Sequence, residues 1–181
     1  DIADQVKDSE HQYTFHKLSS DLPLTRVDKI GAAKLLMLSL VFNVYDMHED
    51  NVGCLLRDDG RLDLTMIDFT VLINPIKVDY DLFLSGYVAV ELTRRDAHTS
   101  LIDLAKTISE QEYINAFREL ERDFAAAISD VVNTVQELKY ESDERKKIFK
   151  DKVDIWAGNL GYLKKLVDKI GRESKPARLY K

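Results

Sequence analysis

Residues 46 to 69 read DMHEDNVGCLLRDDGRLDLTMIDF, and two β-like runs in this segment flank an Asp-Gly pair. The runs extend over 52–57 and 62–67, and Asp59-Gly60 lies between them. An Asp-Gly pair between two such runs is a strong signal for a tight β-hairpin. The sequence therefore predicts a hairpin over 52–67, with Asp59-Gly60 as a two-residue turn.

A two-residue turn would also fix which residues of the two strands face each other. In this register Val52 faces Ile67, and the next pair outward is Asn51 and Asp68. Opposed residues point to the same face of a sheet, with backbones roughly 4.5 to 5.5 Å apart. We therefore expect Asn51 and Asp68 to lie side by side at the open end of the hairpin.

The polar residues at this open end suit phosphoryl transfer. That reaction needs Mg²⁺ held against the phosphates and a group that orients the attacking hydroxyl and takes its proton. Mg²⁺ prefers hard oxygen ligands, which Asn51 and Asp68 supply. Asp46, five residues before Asn51, can reach the same spot as the base or orienting group.

The order Asp46-x-His48-x-x-Asn51, a hairpin, and then Met66-Ile67-Asp68-Phe69 resembles the catalytic and metal-binding motifs of the protein-kinase-like superfamily. The local pattern is similar to that of phosphoinositide kinases and of aminoglycoside or choline kinase-type phosphotransferases. The resemblance covers about residues 25 to 75. It implies a kinase-like C-lobe that uses Mg²⁺ and ATP to phosphorylate a hydroxyl on a lipid headgroup, a small molecule or a protein.

The resemblance also implies a role for each residue of the motif. Asp46 would be the catalytic base or hydroxyl-orienting residue. Asn51 and Asp68 would bind Mg²⁺ and through it the nucleotide. His48 would be a supporting catalytic-loop residue near the transferred phosphate.

Other parts of a kinase are absent from this sequence. It has no Gly-rich phosphate loop and no strand lysine paired with a helix glutamate, and only 45 residues precede Asp46. Because the chain also opens with Asp1 rather than Met, we expect either a fragment without the N-lobe or a minimal or degenerate member of the superfamily. Two other interpretations stay open: a pseudokinase or helical interaction module, and a kinase-fold enzyme that transfers a nucleotidyl group.

Helical patterns surround the hairpin. Thr25 is predicted to cap a buried helix that ends near Asn43, with Asp28 completing a variant capping box. Shorter helices are predicted over about 80–92 and 100–108, and Arg94-Arg95 is expected in a solvated connection. Residues 1–24 form a polar lead-in, a strand or a loop, and are interpreted as the remnant of a missing N-lobe.

The longest helix is predicted from the capping box Ser109-Glu110-Gln111-Glu112 to Leu138. Its apolar stripe, which begins at Ile114, offers a docking surface for a protein partner. Asp143 is expected to cap a further helix that Gly158 and Gly161 loosen. The prediction is a mainly α fold with a small β-hairpin, divided into a lead-in (1–24), a catalytic core (25–92) and a helical subdomain (93–181).

The composition narrows the class of protein. The chain of 181 residues is 45% hydrophobic and 32% charged with few prolines, which is typical of a helical globular protein. A net charge of -6 argues against nucleic-acid binding. The single cysteine, Cys54, excludes an intrachain disulfide and favours a reducing, cytoplasmic setting. No apolar run reaches the length of a membrane-spanning helix.

Overall fold

The computed structural model describes residues 5–8, 11–18, 23–67, 70–71, 76, 83–137 and 142–173. This part of the chain is mainly helical with a small antiparallel sheet, which confirms that part of the predicted fold class. The strands are β1 (Gln5–Asp8), β2 (His11–Lys17), β3 (Val44–Tyr45), β4 (Val52–Leu56), β5 (Leu62–Met66) and β6 (Thr70–Val71). The helices are α1 (Lys29–Val41), α2 (Leu84–Arg94), α3 (Thr99–Thr107), α4 (Glu110–Glu137) and α5 (Asp143–Glu173), with a short 3₁₀ turn at Leu24–Arg26.

The sheet has the strand order β1-β2-β4-β5, and β3 pairs separately with β6. All of these strand pairs are antiparallel. The described part of the lead-in, which the sequence left open between strand and loop, therefore forms two paired antiparallel strands. Its second strand lies inside the sheet, because β2 pairs with both β1 and β4.

The predicted β4–β5 hairpin is confirmed, but its register is wrong by one residue. Val52 lies opposite Met66, and Leu56 lies opposite Leu62. The turn has three residues, because the Arg57 amide donates to the Arg61 carbonyl and the Gly60 amide donates to the Arg57 carbonyl. A two-residue type I′ turn needs positive φ at both positions, whereas among these turn residues only Gly60 has it, at 80°.

Helix α1 begins later than predicted. Asp28, not Thr25, is its N-cap, and the Asp28 carboxylate accepts from the Ile30 amide at 3.2 Å. Thr25 instead lies in the 3₁₀ turn. The reason is a tertiary contact: the Asp28 amide donates to the Leu62 carbonyl at 2.9 Å, which holds the preceding residue extended against β5.

The capping box before α4 is confirmed in both directions. The Ser109 amide donates to the Glu112 carboxylate at 2.7 Å, and the Glu112 amide donates to the Ser109 hydroxyl at 3.3 Å. The predicted end of this helix, Leu138, lies outside the described residues, as does the predicted start of α2 before residue 83. Helix α5 runs without a break through Gly158 and Gly161, so the predicted loosening there is wrong.

One hydrophobic core joins the sheet to the helices, with α1 at its centre. Helix α1 packs against α4, α5 and β5 and has completely buried side chains such as Leu36, Met37 and Leu40. Apolar residues from β4, β5 and all five helices belong to the same core.

The predicted division of the chain at residue 92, into a catalytic core and a helical subdomain, stays a prediction. None of the described helices is long and apolar enough to span a bilayer.

Gly53 is the most tightly enclosed glycine of the described residues. A Cβ atom at this position would lie 2.4 Å from Cζ of Phe15 and 2.6 Å from the His16 carbonyl oxygen. The carbonyl belongs to β2, whose pairing with β4 fixes its position. We expect Gly53→Ala to lower the free energy of unfolding by about 1–3 kcal/mol, which urea titration followed by circular dichroism would measure.

Gly158 provides the matched control for this substitution. It lies within α5, and a Cβ there would meet no described atom within 4 Å. Gly158→Ala should raise the free energy of unfolding by roughly 0.5–1 kcal/mol, because alanine loses less backbone entropy in a helix. Equal effects of the same sign at the two positions would contradict the close approach of β2 to Gly53.

Candidate functional site

Residues 46–51 form the loop that connects β3 to β4, and Asp46 begins it in a left-handed backbone conformation. Its φ is 68°, a region that aspartate and asparagine tolerate better than other residues with a Cβ. Asn43, just before β3, also has a positive φ of 52°. These two turns bracket β3 and direct Asp46 outward, so that its side chain is 55% exposed.

Met47 anchors the loop to the core. Its side chain is completely buried, and its carbonyl oxygen accepts a hydrogen bond from the His98 amide at 3.1 Å. The loop therefore alternates an outward Asp46, an inward Met47 and a half-exposed His48. This alternation holds the polar residues of the motif together at the surface while the apolar residue between them fixes the backbone.

His48 orients the Asp46 carboxylate. The Nδ1 atom of His48 accepts from the Asp50 amide at 3.1 Å, so in a neutral ring the proton lies on Nε2. Nε2 is 3.0 Å from Asp46 Oδ1 and donates to it. The contact of 3.3 Å between His48 Nε2 and Asn51 Nδ2 is then a close approach of two donors rather than a hydrogen bond.

Asn51 is half-buried, and its side-chain amide is held by the loop itself. Its Nδ2 atom donates to the Asp46 carbonyl at 2.9 Å, which fixes the amide plane. Among the described residues, Oδ1 of Asn51 has no hydrogen-bond partner. The structure thus places three of the four predicted site residues together, namely Asp46, His48 and Asn51.

Asp68, the fourth predicted site residue, lies outside the described residues. The predicted pairing of Asp68 with Asn51 depended on the two-residue turn. In the observed register the Asn51 carbonyl accepts from the Ile67 amide at 3.0 Å. Asn51 is therefore opposite Ile67. Within the described ranges, no group of three or more histidine, cysteine, aspartate and glutamate side chains is arranged to hold a metal ion.

Lys17 and Asp50 place a charged pair beside the loop. The ammonium group of Lys17, at the end of β2, is 2.5 Å from the Asp50 carboxylate. The hydrogen bond and charge of Lys17 lower the pKa of Asp50. Both side chains are more than half exposed, so this pair contributes little to stability and instead adds a cation at the edge of the site.

Arg95 is a buried residue that contacts the strand leading into the loop. The sequence did not predict this role. It is 3% exposed, in contrast to the predicted solvated connection. Its guanidinium donates to the carbonyls of Ser39 at 3.1 Å and Val44 at 3.4 Å, and its Cζ lies 5.7 Å from the centre of the Tyr45 ring. Arg95 thereby joins the end of α1 to β3, the strand that leads into Asp46.

The charge of Arg95 is balanced by Glu91, one helical turn earlier. Glu91 Oε2 is 3.5 Å from Arg95 Nη2, and both side chains are buried. Burial lowers the pKa of Arg95, and the charge of Glu91 opposes that shift. Arg95 is the C-cap of α2, and its spacing of seven from Val88 and three from Leu92 continues the apolar face of that helix. Because the predicted helix ended at residue 92, the apolar spacing was not extended to Arg95.

Comparison with protein families and curated proteins, and comparison of this fold with solved structures, found no match.

Proposed function

We propose that the chain is the C-lobe of a kinase-like phosphotransferase that uses Mg²⁺ and ATP to phosphorylate a hydroxyl group. The observation that carries the proposal is the braced loop of residues 46–51. In this loop His48 holds the exposed Asp46 carboxylate, the Asp46 carbonyl holds the side-chain amide of Asn51, and the buried Met47 anchors the backbone.

Asp46 is proposed as the base. Its carboxylate has one oxygen engaged with His48 and is exposed enough to meet a substrate hydroxyl. In the reaction the hydroxyl oxygen would attack the γ-phosphorus, the bond to the β–γ bridging oxygen would break, and the hydroxyl proton would move to Asp46. His48 would keep the carboxylate in the orientation that accepts this proton.

Asn51 and Asp68 are proposed to hold Mg²⁺. The anchored amide nitrogen of Asn51 leaves its oxygen as a hard ligand of the kind that Mg²⁺ prefers. Support for Asp68 comes from its described neighbours, since the Ile67 amide bonds to Asn51 and Thr70 pairs with Tyr45 beside Asp46. When bound, Mg²⁺ would neutralise charge on the phosphates.

Calorimetric titration with ATP, with and without Mg²⁺, tests the proposal. It should be made on the 181-residue chain and on a chain extended upstream of Asp1. We expect Mg²⁺-dependent binding in the extended chain and its loss in Asp68→Ala, with the helical circular dichroism retained. Asp58→Ala is the matched control, because Asp58 is an exposed residue of the turn at the far end of the hairpin.

The alternatives give different results in the same material. Transfer of label from the γ-position of ATP to an acceptor supports a kinase, whereas transfer from the α-position would indicate nucleotidyl transfer. Absence of Mg²⁺-dependent ATP binding in the extended chain would contradict both enzymes. The protein would then be assigned as a pseudokinase or a helical interaction module.

A further inference from the structure

The outer ends of α4 and α5 form a helical arm, defined as residues 125–137 and 143–152. None of the described side chains in either segment is buried, whereas α4 has buried residues up to Phe124 and α5 has them from Val153 onward. Over roughly 20 Å, at about 1.5 Å per residue, this arm therefore lies beyond the core. Ile128 still packs against the edge of the core, whereas Val132, Val135 and Phe149, further out on the arm, do not belong to it.

The two helices of the arm line a small, half-open cavity with an apolar floor. The cavity measures about 200 Å³, and Val132, Val135 and Phe149 provide its apolar surface. Cavities of about 150 Å³ lined by apolar side chains bind molecules as large as benzene. The cavity on the arm can therefore take an aromatic ring or a short length of alkyl chain.

The rim of this cavity is positively charged. Among the described residues, the other three that line it are lysines, Lys146, Lys147 and Lys150. The acidic residues of the same stretch of α5, Asp143, Glu144 and Asp151, do not line it. The charge at this rim is therefore opposite in sign to the net charge of the chain, which is -6. A rim of this charge suits an anionic headgroup, because ammonium groups form charge-assisted hydrogen bonds with carboxylates.

We propose that this cavity binds a soluble single-chain anionic amphiphile, such as an alkyl carboxylate. The apolar chain enters between Val132, Val135 and Phe149, and the carboxylate lies at the lysine rim. The lysine stems extend the apolar wall, and their ammonium groups stay in water. This ligand would cover the apolar floor formed by Val132, Val135 and Phe149. The site is independent of the proposed phosphotransferase loop, which lies on other elements.

Displacement of 8-anilinonaphthalene-1-sulfonate by decanoate, followed by fluorescence, tests this site in the full chain. We expect decanoate to displace the dye, and decyltrimethylammonium, of the same chain length and opposite charge, to be at least about tenfold weaker. The double variant Lys147→Glu/Lys150→Glu should weaken decanoate binding by about tenfold or more. Lys165→Glu/Lys169→Glu makes the same charge change on α5 outside the cavity and should leave binding unchanged.

Three results would overturn the proposal. They are equal binding of the two amphiphiles, equal loss of binding in the two double variants, and no displacement of the dye by decanoate. Binding seen only with vesicles that contain phosphatidylglycerol would also overturn it, because it would make the lysines a membrane contact. Circular dichroism of each variant checks that the helices are retained. Val135→Lys then gives a second test, since a charge on the apolar floor should abolish binding even with the lysine rim intact.

Discussion

Asp46→Asn is expected to lower the turnover of ATP by about 10²–10⁴-fold while leaving Mg²⁺-dependent ATP binding within a few-fold of the original. Asparagine keeps an oxygen that can accept from His48 Nε2, so the loop geometry should survive. What is lost is the ability to accept a proton. The measurement is the release of the γ-phosphate, or its transfer to an added acceptor, under saturating Mg²⁺-ATP in the chain extended upstream.

Asp50→Asn is the matched control for this substitution. It makes the same chemical change four residues away in the same loop, on a carboxylate that pairs with Lys17 and is 61% exposed. Its turnover should stay within a few-fold. If Asp46→Asn turned over ATP as fast as the original chain, Asp46 would not be the base, whatever the outcome of the binding experiment.

Local patterns predicted those parts of the fold that depend on neighbours in sequence. The capping box at Ser109 determined the start of α4, because both of its hydrogen bonds lie within four residues. The loop cluster of Asp46, His48 and Asn51 is local in the same way. Its contacts span at most five residues, so spacing alone was enough to place the three residues together.

Features that depend on distant contacts were missed. The start of α1 moved from Thr25 to Asp28 because Val27 and Asp28 pair with Leu62, on a strand that follows in sequence by more than 30 residues. The hairpin register changed because Asp58-Asp59-Gly60 formed a three-residue turn. An Asp-Gly pair is compatible with both turns, and a change of one residue places Ile67 rather than Asp68 opposite Asn51.

Arg95 is the third such case, and its substitution is expected to have the largest effect on stability. Arg95→Met keeps most of the side-chain volume but removes the charge. It would leave the carbonyls of Ser39 and Val44 without their donor and Glu91 with only the exposed Arg94. Removing one partner of a buried ion pair typically costs about 3–5 kcal/mol, so we expect a loss of that order in the free energy of unfolding.

Arg94→Met is the matched control for Arg95→Met. It removes an arginine from the same helix end, but one whose side chain is exposed. Arg94 is the adjacent residue and bonds to the same glutamate at 2.6 Å, but its side chain is 61% exposed. Exposed pairs contribute roughly 0–1 kcal/mol, so its replacement should cost no more than that. Urea unfolding followed by circular dichroism gives both values, and equal costs would contradict the buried role of Arg95.

The double variant Arg95→Met/Glu91→Leu shows where the cost of the single variant arises. If it comes from a carboxylate left buried without its partner, replacing both residues by apolar ones should restore part of the lost stability. If it comes from the carbonyls of Ser39 and Val44, the double variant should be no more stable than Arg95→Met. In the second case the main role of Arg95 is to connect α1 to β3 through these two hydrogen bonds. Its loss should then disturb the loop at Asp46 even in the folded protein.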